Sequence, residues 1–274
     1  MDNLLAITNI AEAAPRAPLV LRGDPLDALR RAAELGYQAL EVHVIDPHTF
    51  PAKEVRQLCE KLGLRISAIV TGQIFTRRKL CITSTDPENR AAAMAEVRQY
   101  IDIAAEVNAS DGIVIGWVKG NRPEENADAF DRLLADQLTE LGLYARERGQ
   151  KILVEVINRY ETNLFNTARE LREYILRWEL PNCYIHMDTF HMNIEEADMA
   201  QSILECGELL GYFHIADSNR LHPGAGHTDF VPVFRALKQV GYRGAISLEC
   251  IPEPDSITAA VTGRQKIIEY LERA

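Results

Sequence analysis

The sequence predicts a (β/α)8 barrel, a TIM barrel in which parallel strands close into a ring and a helix follows each one. Three observations predict it. Short, β-rich apolar runs alternate with amphipathic helical stretches along all 274 residues. The alternation gives roughly eight strand–helix repeats in about 250 residues, the number such a barrel needs. The first strand is followed by "NIAEAAPRAPLVLRGD" (9–24), not by the Gly-rich phosphate loop with which a doubly wound open sheet usually begins. No linker rich in Gly, Ser or Pro divides the chain, so residues 1–274 are expected to form one domain.

The elements follow in order. "LLAIT" (4–8) reads as the first strand, and "DPLDALRRAAELG" (24–36) as a helix with an Asp cap, Pro at its first position and Gly36 as its stop. "ALEVHV" (39–44) is the next strand. "PAKEVRQLCEKLG" (51–63) repeats the Pro start and Gly stop, and "RISAIVT" (65–71) follows. "DPENRAAAMAEVRQYIDIAAEVN" (86–108) opens on another Asp-Pro and leads to "GIVIGW" (112–117). The periodic stretch "NADAFDRLLADQLTELGLYARERG" (126–149) precedes "KILVEVI" (151–157). "CYIHMD" (183–188), "YFHIA" (212–216) and "AISLE" (245–249) complete the strands, before a last helix over 256–273. The longest irregular stretches, 9–23, 72–85, 117–125 and 217–227, all follow strands. In a barrel those loops share the catalytic face.

Composition narrows the partners. With 47% hydrophobic and 26% charged residues the chain can bury a sizeable core. A net charge of -10 without any long basic run argues against a nucleic-acid partner. The five cysteines form no CxxC pair, as expected of reduced thiols in a cytoplasmic protein. The start lacks the pattern of a signal peptide, and no run approaches the roughly 20 apolar residues that span a membrane.

Barrel strands alternate inward and outward, and their last inward residue faces the site. In "KILVEVI", Leu153 and Glu155 can face inward while Val154 and Val156 meet helices. Asp188 ends "CYIHMD", His214 lies near the end of "GYFHIAD", and Glu249 lies near the end of "GAISLEC". Four late strands thus each bring one acid or imidazole to one rim. Two Glu, one Asp and one His make an oxygen-rich set that suits Mn²⁺ or Mg²⁺, with Zn²⁺ or Co²⁺ as other occupants.

"VEVINRYET" (154–162), "MDTFHMNIEE" (187–196), "FHIADSNRLHPGAGHTDF" (213–230) and "SLEC" (247–250) together resemble the ketose 3-epimerases, metal-dependent barrels of the xylose isomerase-like superfamily. That group includes the D-tagatose/D-psicose 3-epimerases. "TGQ" (71–73), "NRYET" and "DTFHMNIEE" bring the chain nearest to a branch of 5-keto-L-gluconate epimerases. The resemblance implies that Glu155, Asp188, His214 and Glu249 bind a divalent metal, commonly Mn²⁺. It implies that His191 and Arg220 hold substrate oxygens, that Glu161 orients the substrate or His191, and that Trp117 lines the sugar pocket. It also implies a homo-oligomer, dimer or tetramer, by analogy only.

Such an enzyme removes the proton beside a ketone and returns one to the opposite face. A divalent cation would stabilise the cis-enediolate, and Glu155 and Glu249 would be the base and acid on opposite faces. The substrate would be a ketose or a keto-sugar acid, and Arg220 does not decide between them. His191 is expected in the loop after Asp188, with Glu195 and Glu196 as helix-start charges. Gln73 is either an amide donor to the substrate or a turn residue. His43 and His186 depart from the family pattern and read as satisfied interior histidines or pocket groups, and His227 as a partner of a nearby Glu or Asp. The rival readings are a keto-sugar isomerase, a keto-inositol dehydratase and a C-glycoside-cleaving barrel with a second, β-rich subunit. The acidic balance and only seven His disfavour a DNA-repair nuclease, and two paired glutamates disfavour a barrel that only binds sugar.

Overall fold

In the computed structural model, which describes residues 3–274, the predicted strands close into a barrel. They are β1 (Leu5–Ile10), β3 (Ala39–His43), β4 (Arg65–Val70), β5 (Gly112–Ile115), β6 (Ile152–Glu155), β7 (Cys183–Asp188), β8 (Leu210–Ile215) and β9 (Ile246–Leu248). Each pairs in parallel with the next, and β1 also pairs with β9, which closes the ring. A two-residue strand, β2 (Leu21–Arg22), lies beside β1 within the stretch expected to be irregular.

The helices are α1 (Pro25–Glu34), α2 (Ala52–Leu62), α3 (Gly72–Arg78), α4 (Pro87–Glu106), α5 (Ala127–Glu147), α6 (Ala168–Arg177), α7 (Thr189–Glu195), α8 (Met199–Cys206), α9 (Phe230–Gln239) and α10 (Ser256–Arg273). Their ends follow the local chemistry. Asp24 Oδ1 accepts from the backbone N–H of Leu26 at 2.8 Å, and Asp86 caps α4 in the same way through Glu88. Pro51 precedes the first turn of α2 instead of opening it, and Gly63 ends that helix in the left-handed region. α3 occupies the start of the stretch 72–85, read as irregular, because Gly72–Arg78 lacks the caps that reveal longer helices.

Two apolar shells hold the barrel. Val154, Ile185 and Phe213 point outward and pack with helix residues such as Leu134, Leu171 and Phe234. Inside, small residues (Ala6, Ala39, Ala68 and Ala245) leave room that Leu153 and the large Tyr212 fill. Leu153 therefore faces inward and Val154 and Val156 outward, as the alternation predicts.

Two register irregularities position the site. Between Ile185↔Leu210 and His186↔Tyr212, β8 carries one extra residue. Without that bulge Phe213 would oppose Asp188; with it, His214 does. The bulge residue is Gly211, where a Cβ would lie 2.5 Å from Tyr184 Cβ and 2.8 Å from a Leu153 methyl, so only glycine fits. A second bulge, in β4 opposite Leu40 and Val42, lets Ser67 reach the interior and meet Tyr212 Oη at 2.8 Å.

Candidate active site

The C-terminal ends of β3, β6, β7, β8 and β9 bring Glu41, His43, Glu155, Asp188, His214 and Glu249 to one rim, all but Glu155 buried. Above them opens a cavity of about 330 Å³, with His43, Glu155, His191, His214, Arg220 and Glu249 in its lining. Trp117 lies on its outer wall, two residues past β5 at the start of a single 3-10 turn, and Gln73 lines it from the first turn of α3. Gln73 Oε1 accepts from Arg77 Nε, so its carbonyl is already used.

Asp188 ends β7 and caps α7 at once. Its Oδ1 accepts from the Phe190 N–H at 2.8 Å, while Oδ2 is buried without a hydrogen-bond partner. That cap draws the chain directly into a helix, so His191 sits on α7 and not in a loop. Asn158 Nδ2 donates to His191 Nδ1 at 2.7 Å. The other ring nitrogen, Nε2, then carries the proton and faces Asp188 and Glu155 at 3.8 and 4.0 Å. Asn158 also donates to Glu161 Oε1.

His214 is fixed from behind. Its Nε2 donates to Glu41 Oε2 at 2.7 Å, and that carboxylate also accepts from Tyr212 Oη at 2.8 Å and His43 Nε2 at 3.0 Å. His214 Nδ1 is left buried and unpartnered, 3.6 Å from Glu249 Oε2. Arg220 donates to Glu161 at 3.1 Å and to Glu249 at 3.3 Å, and its guanidinium lies 4.5 Å over the Phe190 ring. Gly116 lets Glu155 come close: a Cβ there would lie 2.7 Å from Glu155 Oε2.

The electrostatics divide the acids. Burial, and then the charge of Glu249, pushes Glu155 up to about 8 and Asp188 up to about 6. Burial opposes ionisation of Glu249 too, but the charges of His214 and Arg220 hold it below the usual carboxylate range. Glu41 is likewise held low by His214 and His43 against its burial, and His214 is held high by Glu41 and Glu249. Burial drives His186 and His191 well below the usual imidazole value, leaving both neutral.

The nine residues expected at the site therefore meet at one end of the barrel. Other expectations change. Glu195 ends α7 and accepts from Arg159, and Glu196 accepts from the Ala168 N–H at the start of α6, so neither begins its own helix. His227 bonds to Ser218, not to an acid. His186 is interior but not satisfied, since neither ring nitrogen has a partner. Three site residues were missed. Glu41 was legible as an acid on the inward face of "ALEVHV", two before His43. Asn158 lay inside the quoted "NRYET". Lys119, buried with its ammonium on the Gly116 carbonyl at 3.2 Å and drawn down to about 8 by burial, left no signal in sequence.

Among the described residues no helix is long and apolar enough to cross a membrane. The profile described as "Xylose isomerase-like TIM barrel" matches residues 29–272. The chain is 36% identical over 230 residues to an L-ribulose 3-epimerase of Methylomonas sp. (strain DH-1), covering 81% of this chain and 77% of that one. It is 32% identical over 170 residues to a 3-dehydro-D-guloside 4-epimerase of Escherichia coli (strain K12), covering 59% and 64%. The crystal structure of a D-allulose 3-epimerase from Methylomonas sp. in complex with D-allulose superposes with a TM-score of 0.81 at 28% identity, covering 98% of this chain and 97% of that one.

Proposed function

This chain belongs to the xylose isomerase-like TIM barrel family, and we propose that within it the protein is a divalent-metal-dependent epimerase inverting the carbon beside the ketone of a neutral ketose. One observation carries the reading. Two glutamates from strands three apart around the barrel, Glu155 and Glu249, border one cavity, and their environments drive their proton affinities in opposite directions.

The residues fit a cation. Asp188 Oδ2 and His214 Nδ1 are buried with no hydrogen-bond partner among the described residues, and a cation would take the place of the proton that Glu41 and Glu249 favour on the His214 ring. Glu155, Asp188, His214 and Glu249 would hold the ion, and their oxygen-rich set accepts Mn²⁺. A bound ion supplies Lewis acidity that makes the carbon-bound proton beside the ketone removable.

The chain's own groups do the rest. Glu249, held ionised by Arg220, takes the proton from one face of the carbon. Glu155 returns one to the other face, and the roles exchange in the reverse direction. His191, with its Nε2–H fixed by Asn158, donates to a substrate oxygen. Glu161 holds Arg220 at the cavity, and Trp117 covers the sugar. Arg220 is already paired with two carboxylates, which leaves it poorly suited to a substrate acid group and favours a neutral ketose over a keto-sugar acid.

The test is proton NMR in deuterated water, with Mn²⁺, on a panel of ketopentoses, ketohexoses and keto-uronates. The expected product is inverted at one carbon and carries one solvent deuteron there. Glu249→Gln should fold normally and lose turnover. Near-normal epimerisation by that variant removes Glu249 from acid/base work, and preferred turnover of a keto-uronate overturns the neutral-substrate assignment.

A further inference from the structure

We propose that His186 is an additional protein donor to the cation, so that a second imidazole joins His214 and tilts the site from Mn²⁺ and Mg²⁺ towards Zn²⁺, Co²⁺ and Ni²⁺. This rests on reading the site as a cation site, and it goes further by assigning a donor and a metal preference.

His186 is wholly buried, and neither of its ring nitrogens has a hydrogen-bond partner among the described residues. A buried polar atom left unpaired is costly, and in a native protein it usually answers to a water or an ion. Two polar groups beside it are already used. Tyr212 Oη, on the residue paired with His186, is shared between Glu41 and Ser67. His214 Nε2 is committed to Glu41. The His186 ring instead stands edge-on to the His214 ring, with centroids 4.1 Å apart and planes at 83°.

The register makes His186 a neighbour of the acid as well, because Glu155 pairs with it across β6 and β7. One donor atom each from Glu155, His186 and His214 lie within 4.8 Å of one another. Donors bound to one ion at 2.0–2.2 Å lie within roughly 4.4 Å of each other. A shift of a few tenths of an ångström therefore closes the set. His186 is not in the cavity lining, so it would join a cation held by Glu155 and His214 from among the buried residues below it. Imidazole donors favour Zn²⁺, Co²⁺ and Ni²⁺, while carboxylates alone suit Mg²⁺ and Mn²⁺.

The test uses the full chain, stripped of metal and reloaded. Pulsed EPR of the Cu²⁺-loaded protein counts coordinated imidazoles, and calorimetric titration with Zn²⁺, Co²⁺ and Mn²⁺ gives the preference. Two imidazoles are expected in the wild type and one in His186→Gln. The ratio of Zn²⁺ to Mn²⁺ affinity should fall about 10–100-fold in that variant, the usual cost of disturbing a metal's surroundings. His186→Met, of similar bulk and apolar, serves if the glutamine variant misfolds. One imidazole in the wild type overturns the inference, as does an unchanged ratio. A second imidazole that persists in His186→Gln belongs to His191 and overturns it too. Failure to bind any of these ions removes the cation reading itself, and this inference with it.

Discussion

Glu41→Gln is the sharpest probe of how the site is built. The Glu41 carboxylate accepts from His43, Tyr212 and His214, and its bond to His214 Nε2 leaves Nδ1, which faces Glu249, as the ring nitrogen that would give up its proton to bind an ion. Glutamine keeps the shape but replaces one oxygen by an NH₂ group. It cannot accept from all three donors, and the imidazole can relieve the conflict by moving its proton to Nδ1. That tautomer has no lone pair to offer at the rim. A hydrogen bond to a charged group contributes about 1.5–3 kcal/mol. At about 1.4 kcal/mol per tenfold change in affinity, losing it predicts a roughly 10–100-fold weaker hold on a divalent ion. Calorimetric titration of the metal-free variant with Mn²⁺ reads this directly, and circular dichroism checks the fold. A folded variant that binds Mn²⁺ within twofold of the wild type would refute the reasoning, since His214 would then not depend on Glu41.

Three further outcomes are expected. Gly116→Ala puts a methyl against the Glu155 carboxylate, the free end of a flexible side chain, so the fold should survive while the carboxylate moves; turnover should drop roughly 100-fold, as misplacements near 1 Å do, and unchanged kcat would show that Glu155 need not sit there. Asp111, at the opposite end of the barrel, accepts from Ser110 and from the Ala245 N–H, and burial pushes it up to about 6. Because its folded value lies above the unfolded one, its contribution is full below about pH 4 and lost as pH rises through 6. Asp111→Asn should thus gain on the order of 2–3 kcal/mol over the wild type at pH 8 and little at pH 4, and equal urea midpoints at pH 8 would contradict this. Finally, an ion present at about 100 times its Kd adds roughly 2.7 kcal/mol, so chelation should lower Tm by about 5–10 °C; a melting curve indifferent to chelator would argue against a bound cation.

The sequence by itself determined what depends on local chemistry. Strand order and five of the helices came from hydrophobic period, and the ends of three of these from Asp caps, Pro starts and Gly stops, because each of these acts within four residues along the chain; α6, α8 and α9 were not read from it. Glu155, Asp188, His214 and Glu249 were legible for the same reason: each is a polar residue ending an apolar run. Tertiary structure decided the rest. Whether His214 or Phe213 faces Asp188 depends on a bulge at Gly211, which is set by how closely Tyr184 and Leu153 approach it from neighbouring strands. Glu41 gains its place only because a residue 173 positions away donates to it. The state of His186 turns on which of its neighbours are already engaged. Such facts are relations between strands brought together by barrel closure, and no stretch of the chain records them alone.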